Sequence, residues 1–181
     1  MRQAVTVGAL EIHYQPLVSL RTGEVTGAES LLRWRHPDIG LMVPGQFLSL
    51  AKGVGLMPAH RPLGNAAGSP PRRPVAAAGR ANLRLCVNVG KTERHDCGYF
   101  ELMERFLVET GLPAGVIGLE VPEALAMDNV QATLRGFKMA RCLCCRIALD
   151  EFGAGRTDFR ILRRTPADVL KIAGEFIRDV A

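Results

Sequence analysis

Glu29, Asn88, Glu120, Asp150 and Glu151 offer four carboxylates and one amide, each at or near the carboxyl-terminal end of a short apolar run. All are hard oxygen donors, and no His or Cys stands at such a position, so the set selects Mg²⁺, Mn²⁺ or Ca²⁺ over zinc. Asp150 and Glu151 are adjacent, and their charges repel unless a cation lies between them. Two metal ions sharing Asp150 would make the arrangement that activates water and steadies the leaving oxygen in phosphodiester hydrolysis. The competing reading of this pair is the start of a loop before Gly153. Lys171 lies inside Val169-Leu170-Lys171-Ile172-Ala173, apolar surroundings that would favour a neutral amine able to act as a base; otherwise it snorkels from a strand end. Arg33 could hold a phosphate oxygen, or it is one of the charged residues in Arg33-Trp34-Arg35. The histidines at 13, 36, 60 and 95 have no metal-ligand spacing and read as surface or loop residues.

The elements that must position these groups are short. Leu85 to Val89, Val116 to Val121, Arg146 to Leu149 and Val169 to Ile172 are apolar runs rich in β-branched residues, which predicts strands buried on both faces. Glu11 to Leu20 and Val25 to Leu32 are predicted strands as well. Helical stripes lie between them: Phe47, Leu50, Ala51 and Val54 after Pro44; Phe100, Met103 and Leu107 with Gly111 and Pro113 as the stop; and Val130, Leu134 and Phe137 after the candidate N-caps Asp128 and Asn129. Strands alternating with helices predict an α/β protein with a mostly parallel sheet. No glycine-rich phosphate loop follows the first strand, which weakens a doubly wound nucleotide fold. Polar residues at successive strand ends fit the catalytic rim of a (β/α) barrel instead. The stretch 58–81 carries Pro58, Pro62, Pro70, Pro71 and Pro74 where a helix is due, and proline costs a helix interior about 3 kcal/mol, so no continuous helix is expected there.

With 181 residues, 48% hydrophobic and 23% charged, the chain has globular proportions and room for one domain or a large part of one. A net charge of +5 comes from scattered rather than clustered arginines, so charge alone does not argue for DNA or RNA. No run approaches the roughly 20 apolar residues of a membrane span, and Met1-Arg2-Gln3 opens without an apolar signal core, which predicts a cytoplasmic location. The odd number of cysteines (Cys86, Cys97, Cys142, Cys144, Cys145) predicts free thiols, and Cys142-Leu143-Cys144-Cys145, leading into an apolar strand, reads as buried structural cysteine rather than a redox or metal site.

At these residues the sequence resembles the EAL family, bacterial phosphodiesterases of the second messenger cyclic di-GMP. Tyr14-Gln15-Pro16 and Gly27-Ala28-Glu29-Ser30-Leu31-Leu32-Arg33-Trp34 are similar to the family's YQP and EALLRW blocks. Val87-Asn88-Val89, Leu119-Glu120-Val121-Pro122-Glu123, Asp150-Glu151-Phe152-Gly153-Ala154-Gly155 and Leu170-Lys171-Ile172 resemble its VNLS, LEITE, DDFGTG and LKID blocks, in order. The resemblance implies a variant TIM-type barrel over the single domain 1–181, incomplete because the family's last strands, with an EGVE glutamate and a late glutamine, have no counterpart before Ala181. It implies that Glu29, Asn88, Glu120 and Asp150 are metal ligands and that Glu151 stands for the second Asp of DDFG. It further implies that Lys171 assists the attacking water, that Arg33 and Gln15 contact the ligand, and that Glu123 steadies the loop after Asp150-Glu151. Ser30, Glu151, Pro122, Arg156 and Ala173 depart from the family pattern.

The function so implied is hydrolysis of cyclic di-GMP to linear pGpG with Mg²⁺ or Mn²⁺. The alternative is a catalytically degenerate module that binds cyclic di-GMP or a signalling protein without cleavage. An incomplete barrel leaves strand edges unpaired, so self-association as a homodimer or larger species is expected, alongside a sensory or signalling partner.

Overall fold

In the computed structural model, residues 10–47, 83–91, 93, 96–113, 115–155 and 159–178 are described, and the chain divides after Leu83 into two compact units. The first is an antiparallel meander. Strand β1 (Leu10–Val18) pairs with β2 (Val25–His36), which also pairs with β3 (Gly40–Met42). The turn between β1 and β2 closes through Gly23, whose φ of +71° suits a residue without a β-carbon and whose N–H donates to the Ser19 carbonyl. Period-two alternation sorts β2 into two faces. Trp34 packs with its pairing partner Met42, with Phe47 and with Leu10 and Leu32, while Glu29, Leu31, Arg33 and Arg35 fall on the opposite face.

The second unit is built from βα repeats. Strands β4 (Arg84–Asn88), β5 (Ile117–Pro122), β6 (Arg146–Phe152) and β7 (Val169–Ile172) run parallel in that order. Helices α1 (Cys97–Thr110), α2 (Glu123–Asp128), α3 (Val130–Cys142) and α4 (Phe159–Arg164) connect them, and a 3₁₀ turn (Gly174–Phe176) follows β7. Asp96 starts α1 by accepting the Gly98 N–H, and Gly111 ends it in the left-handed region at φ +65°. Asn129 caps α3 through the Ala132 N–H, as its position in the sequence predicts. Ile117, Leu119 and Val121 of β5 and Ile147 and Leu149 of β6 are buried with Met103, Phe106 and Phe137 from the helices, each such side chain contributing roughly 1.5–3 kcal/mol by leaving water.

A further residue ties the amino end of β6 to its neighbours. Asp168 accepts the Ile147 N–H at 2.8 Å with one oxygen and Arg141 Nη2 at 2.9 Å with the other, while Arg141 also donates to the Pro166 carbonyl. Replacing Asp168→Ala orphans a strand N–H and loosens the end of α3, so a loss of about 2–3 kcal/mol is expected in urea unfolding.

Several expectations are corrected. Strand β2 runs on to His36, which puts Glu29 in mid-strand within an antiparallel pair rather than at a strand end. Strand β7 alternates half-buried and exposed residues, with Leu170 and Ile172 outward, so it is not buried on both faces. Strand β3 and the short helix α2 carry no periodicity long enough to announce them. Of the Cys142-x-x-Cys145 pair only Cys145 is buried; Cys142 and Cys144 are exposed free thiols in the turn out of α3. The stripe beyond Phe47, Arg156, and the stretch 58–81 lie outside the described residues.

Candidate functional site

Strand register gathers the second unit's polar residues. Asn88, the last residue of β4, stands opposite Glu120 of β5, and Asp150 of β6 stands opposite Pro122. Glu120 is the one charged residue in an otherwise apolar strand and is 1% exposed. A carboxylate so buried must be compensated, and Lys171 of β7 supplies the charge: its Nζ donates to Glu120 Oε2 at 2.7 Å and lies 3.5 Å from Asp150 Oδ1. The apolar surroundings expected for Lys171 are therefore not what its ammonium meets. The lysine spans from β7 to β5 and sits between two acids as their counter-ion.

The adjacency of Asp150 and Glu151 has a structural explanation the sequence hides. Leu149 pairs with Leu170 and Phe152 pairs with Ile172, so two residues of β6 face the single Lys171 of β7. This bulge aims Asp150 at the lysine and turns Glu151 out, its side chain exposed and its φ at +54°, left-handed geometry that glutamate adopts at a cost of about 1 kcal/mol. Asp is better tolerated there. Glu151→Asp is expected to raise the melting temperature by a degree or two and to tighten Mn²⁺ binding, read by differential scanning fluorimetry and calorimetric titration; an unchanged affinity would mean that the extra methylene costs the site nothing.

Behind the bulge, Glu123 opens α2 with its carboxylate buried, and its Oε2 accepts the Gly153 N–H at 3.1 Å. The Phe152 carbonyl accepts the Ala173 N–H at 3.0 Å. The segment after Asp150-Glu151 is thus held by α2 on one side and by the chain beyond β7 on the other.

In the first unit Gln15 of β1 stands directly opposite Glu29 of β2, and Arg33 shares their face two pairs along, opposite Glu11. Arg33 Nη1 donates to the Leu32 carbonyl at 2.9 Å. Glu11 accepts instead from Arg35, and this exposed pair, with His13, draws the Glu11 carboxyl below its usual value, the Arg35 hydrogen bond contributing most. Gln15, Glu29 and Arg33 are thereby brought onto one face; Asn88, Glu120, Asp150 and Lys171 converge in the second unit. Among the described residues no three Asp, Glu, His or Cys side chains converge as a ready ligand cage.

A model of the EAL domain matches residues 1–181. The chain belongs to the EAL family. The EAL sequence is 34% identical over 180 residues to the cyclic di-GMP phosphodiesterase NbdA of Pseudomonas aeruginosa, covering 99% of this chain and 23% of that protein. It is 33% identical over 181 residues to MucR of the same organism, a bifunctional diguanylate cyclase/cyclic di-GMP phosphodiesterase, covering 100% of this chain and 26% of that one. The chain thus spans about a quarter of the length of these relatives. Among solved structures, the MucR phosphodiesterase in complex with c-di-GMP superposes with a TM-score of 0.88 at 33% identity, covering 99% of this chain and 72% of that one. The FimX EAL domain of Pseudomonas aeruginosa bound to c-di-GMP gives 0.80 at 25% identity, with the same coverage. The TIM-type α/β architecture expected from the strand-end pattern is the architecture of this EAL domain.

Sequence reasoning missed the Glu120–Lys171 pair as a pair, because the two residues are 51 positions apart and only the parallel register joins them. It missed the bulge as well. A signal for the bulge does exist: two polar residues in succession, Asp150-Glu151, interrupt an apolar strand that resumes at Phe152. Burial pushes the Cys145 thiol up to about 11, and this sulfur lies 3.5 Å from Met103 Sδ.

Proposed function

We propose that this EAL domain hydrolyses cyclic di-GMP to linear pGpG, water adding across one ring P–O bond to leave a 5′-phosphate and a 3′-hydroxyl. The observation that carries the reading is the Lys171 ammonium held between the buried Glu120 and Asp150 at the carboxyl ends of adjacent parallel strands. Such placement fixes a donor and two acceptors before substrate arrives, so little reorganisation remains at the moment of reaction. Lys171 orients the attacking water, Arg33 and Gln15 bind the ligand through a phosphate oxygen and an amide contact, and Glu123 keeps the Gly153 segment, and with it Asp150, in register.

The donors suit a divalent cation of the Mg²⁺ or Mn²⁺ type: every candidate atom is a hard oxygen, and Glu120 is buried where only positive charge or hydrogen-bond donors are tolerated. Asn88, Glu120 and Asp150 would hold it, from neighbouring strands of the second unit. Once bound, the cation supplies Lewis-acid stabilisation of the charge that develops on phosphate oxygen.

The domain acts in the cytoplasm alongside a sensory or signalling partner, and copies self-associate along β7, which among the described residues pairs with β6 alone. No helix among those residues is long and apolar enough to cross a membrane. Light scattering on a size-exclusion column is expected to find dimers or larger species; a monomer at all concentrations contradicts self-association. For the activity, protein incubated with cyclic di-GMP and Mn²⁺ is expected to yield pGpG by chromatography. Calorimetric binding without product would select a receptor instead, and neither binding nor product would reject both readings.

A further inference from the structure

Phe176 is 54% exposed, yet half of its ring is committed. A β-carbon built on Gly153 would lie 2.8 Å from Phe176 Cε2 and 3.2 Å from Cζ, so the ring occupies the space where any other residue would place its side chain. Gly153 itself has φ +96°, a backbone open to glycine and little else. The same residue donates its N–H to Glu123 Oε2, and the preceding Phe152 carbonyl accepts from Ala173. The Phe176 ring is set by the 3₁₀ turn, whose Phe176 N–H donates to the Ala173 carbonyl at 3.1 Å. Gly153 is therefore held on its N–H by a buried carboxylate and flanked on the side of its missing β-carbon by the Cδ2–Cε2–Cζ edge of the Phe176 ring, two residues after Glu151 and three after Asp150.

We propose that Phe176 is a positioning residue: its ring presses the Gly153 backbone onto Glu123 and so fixes the bulge that aims Asp150 at Lys171. The proposal deepens the hydrolytic reading and rests on it only for its kinetic arm. The positive φ already restricts this position to glycine, and its bare Cα leaves the space that the ring fills. Phe176 is half exposed and is not one of the buried core residues.

Two readouts separate this role from a merely stabilising one. Amide hydrogen exchange at Gly153 reports the grip directly and needs no activity. Phe176→Ala is expected to speed exchange at Gly153 at least about tenfold, an opening that exposes one hydrogen bond without unfolding the unit. Phe176→Tyr, which keeps the ring, is expected to restore slow exchange, and Phe176→Leu is not. Asp168→Ala, destabilising at the far end of β6, serves as control and should leave Gly153 exchange unchanged relative to its neighbours in β6. In turnover of cyclic di-GMP with Mn²⁺, Phe176→Ala is expected to lower kcat about tenfold or more with KM within a few-fold, the signature of a misplaced reacting group. Unchanged exchange at Gly153 in Phe176→Ala, or equal rescue by Leu and Tyr, would overturn the proposal. Absence of turnover in the unmodified protein would strike the hydrolytic reading while the exchange measurement still decides the role of Phe176.

Discussion

Lys171→Met is expected to abolish measurable hydrolysis of cyclic di-GMP and to lower the melting temperature by about 10 °C. The stability loss follows from Glu120, whose carboxylate is 1% exposed and whose oxygen lies 2.7 Å from the lysine nitrogen. Removing one member of a buried pair leaves the other as an uncompensated charge, at a cost of about 3–5 kcal/mol. For a domain of this size each kilocalorie is worth roughly 2–4 °C. The pair can be tested as a pair. In Glu120→Gln/Lys171→Met the buried charge at position 120 is gone along with its partner, so the double variant is expected to be more stable than Lys171→Met alone while staying inactive. Additive losses in thermal unfolding would show that the two residues do not act on each other.

Asp150→Asn should behave in the opposite sense, losing function but not fold. Its side chain is partly exposed, its contact with Lys171 is the longer of the two at 3.5 Å, and Lys171 keeps Glu120 when Asp150 is neutralised. Calorimetry is expected to show Mn²⁺ affinity reduced by about 100-fold or more, since even outer-shell partners of metal sites are worth 10–100-fold. Its melting temperature should stay within about 2 °C of the parent protein. Glu29→Ala is likewise expected to leave the melting temperature within about 2 °C of the parent, because Glu29 lies on the polar face of β2, away from Trp34 and Met42. Either variant unfolding like a core deletion would contradict the assignment of these residues to a binding site.

The parts of the fold that could be read from sequence are those that local periodicity determines. Ile117, Leu119 and Val121 announce a buried strand without help, and Gly111 and Asn129 mark helix ends through their own backbone and side-chain chemistry. What depends on pairing across the chain could not be read that way. The bulge at Asp150-Glu151 exists only relative to β7, so from sequence the two acids appear to repel each other rather than to point apart. Lys171 shows an apolar pentapeptide in sequence and two carboxylates in space. Glu29 seemed to end its strand because the polar Arg33 and Arg35 interrupt the apolar run, although a strand with one polar face continues through such residues. The roles of Asp168 and Phe176 have no local signal: one acts through a backbone N–H of β6 and the other through the empty side of a glycine.

Mass spectrometry of cyclic di-GMP turned over in ¹⁸O-labelled water with Mn²⁺ tests the proposed hydrolysis most directly. Linear pGpG carrying a single ¹⁸O on its 5′-phosphate is expected from the unmodified protein and from neither Lys171→Met nor Asp150→Asn. Cyclic di-GMP recovered intact from the unmodified protein, or labelled product formed equally well by the two variants, would contradict the proposal.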